Sequence, residues 1–461
     1  MSPWVLAVLV IGVNFVLWGG VGLLRFADEL AARVRGRFRQ WRGRGGRRRA
    51  RHRAPSGRRS FSMHNADVGP GRRLTAADIA VLMAAHDEEL VIEHSLAAIS
   101  ELVPAENVHV VSDYSTDRTV ELARAAGVHV LQTATNVGKA GALQEGVTRF
   151  ALAERFEAVL ILDADTQLDP RYLEVALPLL DDPRVVAVAG CAQTRWHPGE
   201  LSLLGAMIVA HRQRIYTLTQ RLLKYGQTWR GLSATHIVPG FASIYRSRAL
   251  EQIEVNAAGL VIEDFNMTFE VHAKKLGRVA FAPAACAYTQ DPSNYRDYVK
   301  QTSRWALGLW QTLRRHRPRR GFFAAMLALL IAELLTSSVL FVLLPLVLLV
   351  LCAGELATSV GIDEAQPVAD LVGDHLGLTA IALGVLLPDY LMTCAVAALE
   401  KRPRYLYLGL FFLAMRVTDA VIALRTLPRA WQERSSGQWV SPTRRAIVPE
   451  GTIVPENTIA A

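Results

Sequence analysis

Cysteine is scarce. The four residues Cys191, Cys286, Cys352 and Cys394 are scattered over 461 positions, without the spacing of a disulfide scaffold or a zinc site. Thiol-based or zinc-based chemistry is therefore not expected. Acidic residues are absent from a tract that holds thirteen arginines between Arg33 and Arg59. Without that tract 38 basic residues face 42 acidic ones, so the net charge of +9 and the pI of 9.6 describe one segment. They are no sign of a nucleic-acid-binding fold, and no nucleic-acid partner is expected. Lys and Arg are absent between Arg320 and Lys401, a region that holds Glu355, Asp363, Glu364, Asp370 and Asp374. With 51% apolar and 20% charged residues, wholesale disorder is excluded. The apolar residues are too unevenly spread for a simple soluble protein.

Four long apolar stretches stand out. Residues 3–24 have about the length that spans a bilayer, and no Lys or Arg precedes them as in a secretory signal peptide. The arginine tract that follows makes this a signal anchor with its C-terminal side in the cytosol. Residues 322–352 are too long for one untilted span and too short for two, and read as an interfacial start followed by one span. The acidic loop after it is expected outside. Residues 376–399 return to the cytosol at Lys401, Arg402 and Arg404. Residues 405–427 carry Arg416 and Asp419 at mid-depth. A span there would put the basic tail outside, against the charge rule. The stretch therefore lies in the interface, or the second stretch crosses twice, or the rule fails.

Between the anchor and the second stretch lies a block from about Ala76 to His316 with alternating short apolar runs and helical patterns. Strands are expected at 79–83, 108–112, 128–132 and 159–162, with helices starting near Glu89 and Thr116. That βαβα rhythm implies an α/β fold of Rossmann type with a mostly parallel sheet. Residues 36–71, rich in Arg, Gly and Pro, read as a linker.

The chemistry-bearing residues fall at strand ends. Asp163-Ala164-Asp165 follows the fourth strand; two carboxylates at i and i+2 on that edge suit Mg²⁺ or Mn²⁺ and hence a diphosphate, although the same pair also reads as turn-capping aspartates. Asp113 ends the second strand, where it can accept from a nucleobase N–H or belong to an ordinary strand-to-helix turn. His86 and Glu88 end the first. Lys139 sits in a small loop with Gly138 and Gly141 after the third and suits a diphosphate. Glu263-Asp264 opens a helix running to about Leu276, equally an acidic first turn. On a helix, Gln301, Arg304 and Trp305 share one face, offering an amide, a guanidinium for phosphate and an indole for a sugar ring; a basic helix anchored by Trp at a membrane surface presents the same residues.

The order Asp113, Asp163-x-Asp165, Glu263-Asp264 and Gln301-x-x-Arg304-Trp305, followed at once by apolar stretches, resembles the processive family-2 glycosyltransferases. These are the cellulose, chitin, hyaluronan and poly-β-1,6-N-acetylglucosamine synthases. The resemblance covers about Ile79 to Leu307. It implies a GT-A domain that binds a UDP-sugar. Asp113 would contact uracil, with His86 where a tyrosine commonly packs on the base and Glu88 in the same nucleotide-sugar set. Lys139 would contact the diphosphate, Asp163 and Asp165 the nucleotide and metal, and Asp264 would be the catalytic base. Gln301, Arg304 and Trp305 would serve the diphosphate and acceptor end. Two departures stand out: Ile262 where the family often has Thr, and Ser112 where it usually has Asp. The tail Gly437-Gln438-Trp439-Val440-Ser441-Pro442 is similar to the end of poly-N-acetylglucosamine synthases and is expected to gate the nucleotide site from the cytosol.

The expected organisation is a transmembrane anchor (1–25), an Arg-rich cytosolic linker (26–75), a GT-A domain (76–316), transmembrane or interface helices (317–427) and a cytosolic tail (428–461). The expected activity is inverting polymerisation of UDP-N-acetylglucosamine at the plasma membrane, with delivery of the product across it. The expected partners are a UDP-sugar, the growing polysaccharide, membrane lipid and a small membrane accessory subunit. A non-processive enzyme adding one sugar to a lipid, or a cellulose-, hyaluronan- or chitin-type synthase, remains open on the same motifs. A transporter with a degenerate soluble domain is disfavoured by the intact carboxylates, and the arginine tract reads as a topology signal that also binds anionic lipid.

Overall fold

The computed structural model describes residues 2–45, 73–360, 370, 372–374, 376–433, 435 and 437. Most of the linker, the centre of the acidic loop and the tail segment 438–442 lie outside the described residues.

Ile79–Ala85 (β1) and Val108–Ser112 (β2) are buried at every position, as expected of strands covered on both faces. His129–Gln132 (β3) flanks β2 and Ala158–Asp163 (β4) flanks β1, all in parallel. Four further strands complete one sheet: Gln167–Leu168 (β5), Val185–Thr194 (β6), Ala242–Arg246 (β7) and Arg278–Thr289 (β8), in the order β3-β2-β1-β4-β7-β6-β8-β5. The expected mostly parallel sheet is present, since β6 pairs in parallel with β8 and six of the eight strands share one direction, but two strands are reversed. β7 runs antiparallel to both β4 and β6, and β5 runs antiparallel to β8. An apolar run reveals a strand but not the direction of its partner, so the second half of the sheet was not legible. The reversal has a consequence: the C-terminal ends of β4 and β6 meet the N-terminal end of β7 on a single edge.

Two apolar clusters fill the two faces of the sheet, one around Ile92, Leu96 and Tyr172, the other around Leu143, Met267 and Phe281. The expected α/β arrangement of a helix-covered sheet joined to apolar helices is present.

The N-terminal apolar stretch is two helices, Pro3–Ile11 (α1) and Val13–Gly45 (α2), bent by 67° at Gly12. Gly12 has φ 89°, a conformation few other residues adopt. The Glu333 carboxylate accepts from Asn14 N (2.8 Å) and Asn14 Nδ2 (2.9 Å), so an acidic side chain from another helix satisfies the start of α2. α2 continues to Gly45, past the expected linker start at residue 36. Arg25 docks it on the catalytic domain by donating to Tyr225 O, Thr228 Oγ1 and Phe281 O.

Three other helices are long and apolar enough to cross a membrane: Phe322–Ala357, Leu378–Leu399 and Arg404–Gln432. The first is part of Phe322–Ser359, whose 38 residues extend about 57 Å at 1.5 Å each, well beyond the ~30 Å hydrocarbon core. Arg404–Gln432 settles against the catalytic domain along its length. It meets Tyr295–His316 through Tyr298 OH donating to Asp419 Oδ1 (2.6 Å), Trp310 Nε1 donating to Ala423 O (3.1 Å) and Gln311 Nε2 donating to Glu433 O (3.4 Å). This docking along the domain was not among the arrangements expected for residues 405–427. Arg416 and Asp419 do not pair with each other. Arg416 binds Asp389 of Leu378–Leu399 at 2.6 Å, and Asp419 takes His211 at 3.0 Å. Asp389 also receives Arg214 of Leu203–Tyr216 at 2.6 Å.

Asp389 is 6% exposed and serves two guanidinium groups. Removing one partner of a buried pair leaves the other charge desolvated, at a cost of ~3–5 kcal/mol. Asp389→Ala should therefore lower the thermal unfolding midpoint in detergent strongly. Arg416→Ala should lower it less, because Arg214 keeps its partner. Equal midpoints for Asp389→Ala and wild type would contradict this pairing.

Candidate active site

The edge where β1, β2 and β4 end collects the expected residues. Asp113 is fully buried after β2. Its Oδ1 accepts from Val137 N (2.7 Å) and its Oδ2 from Gly138 N (2.8 Å), with Thr133 Oγ1 also donating (3.2 Å). Both oxygens thus hold the start of the helix Gly138–Arg149, where an anion is favoured. In this structure Asp113 shapes the loop that follows β3. His86 Nδ1 lies 2.6 Å from Asp113 O, beside the same loop. Glu88 is buried, and its backbone N–H donates to Thr119 Oγ1. Ser112 Oγ donates to Ser115 Oγ inside the turn, so the departure from the usual Asp at 112 is accommodated by a buried hydroxyl pair.

Lys139 stands one residue into that helix. Its ammonium lies 2.7 Å from Asp163 Oδ1 and 3.0 Å from Glu263 Oε1, and donates to Gly240 O at 3.3 Å. In this structure the ammonium bridges two carboxylates. Burial alone would lower the Lys139 pKa, but Asp163 and Glu263 outweigh it and hold the amine protonated. Asp165 is 7% exposed, and Thr166 Oγ1 donates to its Oδ1 at 3.3 Å.

Asp264 is the first residue of the helix Asp264–Ala273, and its Oδ1 accepts from Phe265 N at 2.7 Å. Burial first, and the neighbouring Glu263 carboxylate second, push the Asp264 carboxyl up to about 7. Glu263 moves the other way. Burial would raise it, but Lys139 holds it below its ordinary value. Two adjacent carboxyls are thus split, one kept ionised and one poised near neutrality, the pattern of an acid–base site.

Gln301, Arg304 and Trp305 lie on the helix Tyr295–His316 as expected. A Cβ on Gly308 would meet the Ile262 side chain at 3.0 Å, so this helix presses directly on the segment that carries Glu263 and Asp264. Ile262, Phe265, Leu309 and Trp305 form one apolar cluster there. The Thr-to-Ile departure therefore contributes to packing between the two motifs. Arg304 is exposed, and its charge helps to hold Glu263 ionised.

Two contributors were not read from the sequence. Gly240 closes the floor. A Cβ there would stand 2.9 Å from Glu263 Oε1, 3.1 Å from Lys139 Nζ and 3.7 Å from Asp264 Cβ. Its signal was the Pro239-Gly240 dipeptide before the apolar run of β7. Arg212 has no local signal; it donates to Gln301 Oε1 at 3.0 Å from a helix 89 positions earlier. The chain beyond the last helix also reaches this edge. Ser435 bridges to Gly259, and a Cβ on Gly138 would lie 1.7 Å from Gly437 O, so only glycine permits this approach. The rest of the expected gate, 438–442, lies outside the described residues.

Asp264 should titrate at about pH 7. Infrared difference spectra should show a protonated carboxylic C=O band below that pH which is missing in Asp264→Asn. Because Glu263 raises the Asp264 pKa, Glu263→Gln should move the transition to lower pH. A band that titrates near the ordinary carboxylate pKa of about 4 in wild type would contradict the assigned electrostatics.

Residues 158–360 match the family described as glycosyl transferase family group 2. No curated protein matches the chain. Among solved structures, a mannosyltransferase from Pyrobaculum calidifontis in complex with GDP-Man and Mn²⁺ is similar at 20% identity and a TM-score of 0.45, over 88% of this chain and 99% of its own. Glucosyl-3-phosphoglycerate synthase from Mycobacterium tuberculosis, in complex with Mn²⁺, UDP-glucose and phosphoglyceric acid, is similar at 18% identity and a TM-score of 0.36, over 53% of this chain and 81% of its own. The matched segment, residues 158–360, takes in Asp163, Asp165, Glu263, Asp264 and the Gln301-x-x-Arg304-Trp305 helix, and it carries a glycosyltransferase family-2 domain.

Proposed function

We propose that this enzyme is an inverting, membrane-embedded glycosyltransferase that polymerises UDP-N-acetylglucosamine into a β-linked chain, with β-1,6 linkage, and passes it across the plasma membrane. The observation that carries the transferase chemistry is the split pair on one edge: Glu263 ionised against Lys139, and Asp264 raised to about 7 beside it. Asp264 is the base. It takes the proton of the acceptor hydroxyl as that oxygen attacks the anomeric carbon, and a pKa near the working pH favours both its free form and proton uptake. Lys139 is the cation nearest the carboxylates and serves the departing diphosphate. His86 and the loop shaped by Asp113 offer the nucleobase and phosphate side, with Glu88 behind them. Gln301, Arg304 and Trp305 serve the diphosphate and acceptor end.

Mg²⁺ or Mn²⁺ fits this edge. Among the described residues no three His, Cys, Asp or Glu groups gather as a complete metal site. Such ions characteristically take one or two protein carboxylates and complete their shell with substrate phosphates and water. Asp165 would hold the ion, with Asp163 beside it. When bound, the ion neutralises charge on the leaving diphosphate. The solved mannosyltransferase and glucosyl-3-phosphoglycerate synthase contain Mn²⁺ with a sugar nucleotide, which is in keeping with this reading.

Support for polymer delivery comes from the joint between the acceptor-end helix and the apolar helices. Tyr298 and Trp310, on the helix that carries Trp305, bond directly to Arg404–Gln432. The donor choice rests on the sequence of the tail, Gly437 to Pro442.

The test is to incubate membranes carrying the full chain with each UDP-sugar and a divalent cation, and to measure UDP release and product length. UDP-N-acetylglucosamine alone should give UDP and a high-molecular-weight product that a β-1,6-N-acetylglucosaminidase degrades. Asp264→Asn should lower transfer ~10²–10⁴-fold while UDP still binds. Use of UDP-glucose but not UDP-N-acetylglucosamine would reject the donor, and a single sugar added to lipid would reject polymerisation.

A further inference from the structure

Arg212 is 2% exposed, on the helix Leu203–Tyr216, and the mechanism above makes no use of it. Its Nη2 donates to Gln301 Oε1 (3.0 Å) and Thr302 Oγ1 (3.1 Å). Its guanidinium carbon stands 4.4 Å from the ring centroid of Trp305 and 4.7 Å from that of Tyr298. Its Nε lies 3.7 Å from Asp291 Oδ1, and Asp291 is held in turn by Tyr216 OH (3.0 Å) and Thr289 Oγ1 (3.2 Å) at the end of β8. The helix cannot readily turn away. His211 is fastened to Asp419 and Arg214 to Asp389, on two different apolar helices.

A guanidinium has donors and no acceptor, so it fixes the sense of any amide it meets. The Gln301 oxygen must face Arg212, which leaves the Gln301 NH₂ group for a ligand. The indole of Trp305 has the guanidinium over its ring and packs against the cluster of Ile262, Phe265 and Leu309, so Arg212 fixes where its remaining edge stands. We infer that Arg212 is a positioning residue that sets Gln301 as a hydrogen-bond donor to an acceptor-sugar oxygen and holds Trp305 in place beside it. This rests on the proposed role of Gln301 and Trp305 at the acceptor end. It predicts which chemistry fails on substitution: recognition of a neutral, oxygen-rich sugar acceptor rather than of the nucleotide.

The test uses the full chain in membranes with UDP-N-acetylglucosamine as donor and a short β-1,6-linked N-acetylglucosamine oligomer as acceptor probe. Misplacing a positioned group by an ångström costs up to ~10²-fold, so Arg212→Met should raise the acceptor KM at least ~10-fold while UDP affinity shifts by less than ~3-fold. Arg212→Lys keeps the charge but loses the planar fork and should recover only part of the loss. Gln301→Glu keeps an oxygen for Arg212 and removes the NH₂ donor, so it should reproduce the Arg212→Met defect in a protein with an undiminished melting temperature. An acceptor KM within ~2-fold of wild type in Arg212→Met would overturn the inference while leaving the proposed function in place. Wild-type inactivity with every UDP-sugar would instead reject the proposed function. The fluorescence of Trp305, taken as the difference from Trp305→Phe, then decides on Arg212 alone. It should shift in Arg212→Met, and an unshifted signal would overturn the inference.

Discussion

The Lys139 bridge is the interaction on which the rest of the site depends. One ammonium ties Asp163, at the end of a parallel strand, to Glu263, at the start of a distant helix, with Gly240 O from the head of an antiparallel strand as third partner. Three backbone segments of opposite direction therefore converge on one cation. Desolvating two carboxylates this close without a counter-charge would be strongly unfavourable. With it, Glu263 stays ionised, and its negative charge together with burial holds Asp264 near neutrality. The poised carboxyl is thus a product of the bridge beside it. The Gly240 position follows from the same requirement, since any side chain there would enter the space of Lys139 and Glu263.

A second set of ion pairs fixes this edge to the apolar helices. The helix Leu203–Tyr216 sends His211 to Asp419, Arg212 to Gln301 and Arg214 to Asp389. About one turn of this helix thus reaches two apolar helices and the helix Tyr295–His316. Charged residues in apolar stretches are costly unless paired, and here Asp419 and Asp389 find partners on the helix Leu203–Tyr216, while Arg416 shares Asp389. Relative movement of the domain and these helices would have to break buried charge pairs, so the acceptor end and the apolar helices are expected to move together. The N-terminal helix joins the same assembly through Arg25 and through Glu333, which satisfies its first turn.

The first half of the fold was legible because its strands are continuous apolar runs ending in polar residues. The four expected strands fall within one or two residues of β1 to β4. The helix opening at Asp264 and the face shared by Gln301, Arg304 and Trp305 were legible from periodicity. The strands from β5 onward were not, since pairing direction leaves no mark on an apolar run. The candidate residues were found, but the local partners of several were not read from the sequence. Asp113 spends both oxygens on backbone N–H groups, and Lys139 bridges carboxylates. Arg416 and Asp419 stand three residues apart in one apolar stretch, yet each binds a residue on another helix. Arg212 was invisible for the same reason. A buried cation between elements that are distant in sequence has no periodic or dipeptide signature.

The central claim is that the Lys139 bridge organises the donor edge. Its most direct test is calorimetric binding of UDP with Mn²⁺ to the full chain in detergent, comparing wild type, Lys139→Arg and Lys139→Met. Removal of the cation leaves Asp163 and Glu263 as unpaired carboxylates facing a diphosphate. UDP should then bind at least ~10-fold more weakly to Lys139→Met, with Lys139→Arg in between. Equal affinity of Lys139→Met and wild type would contradict the account.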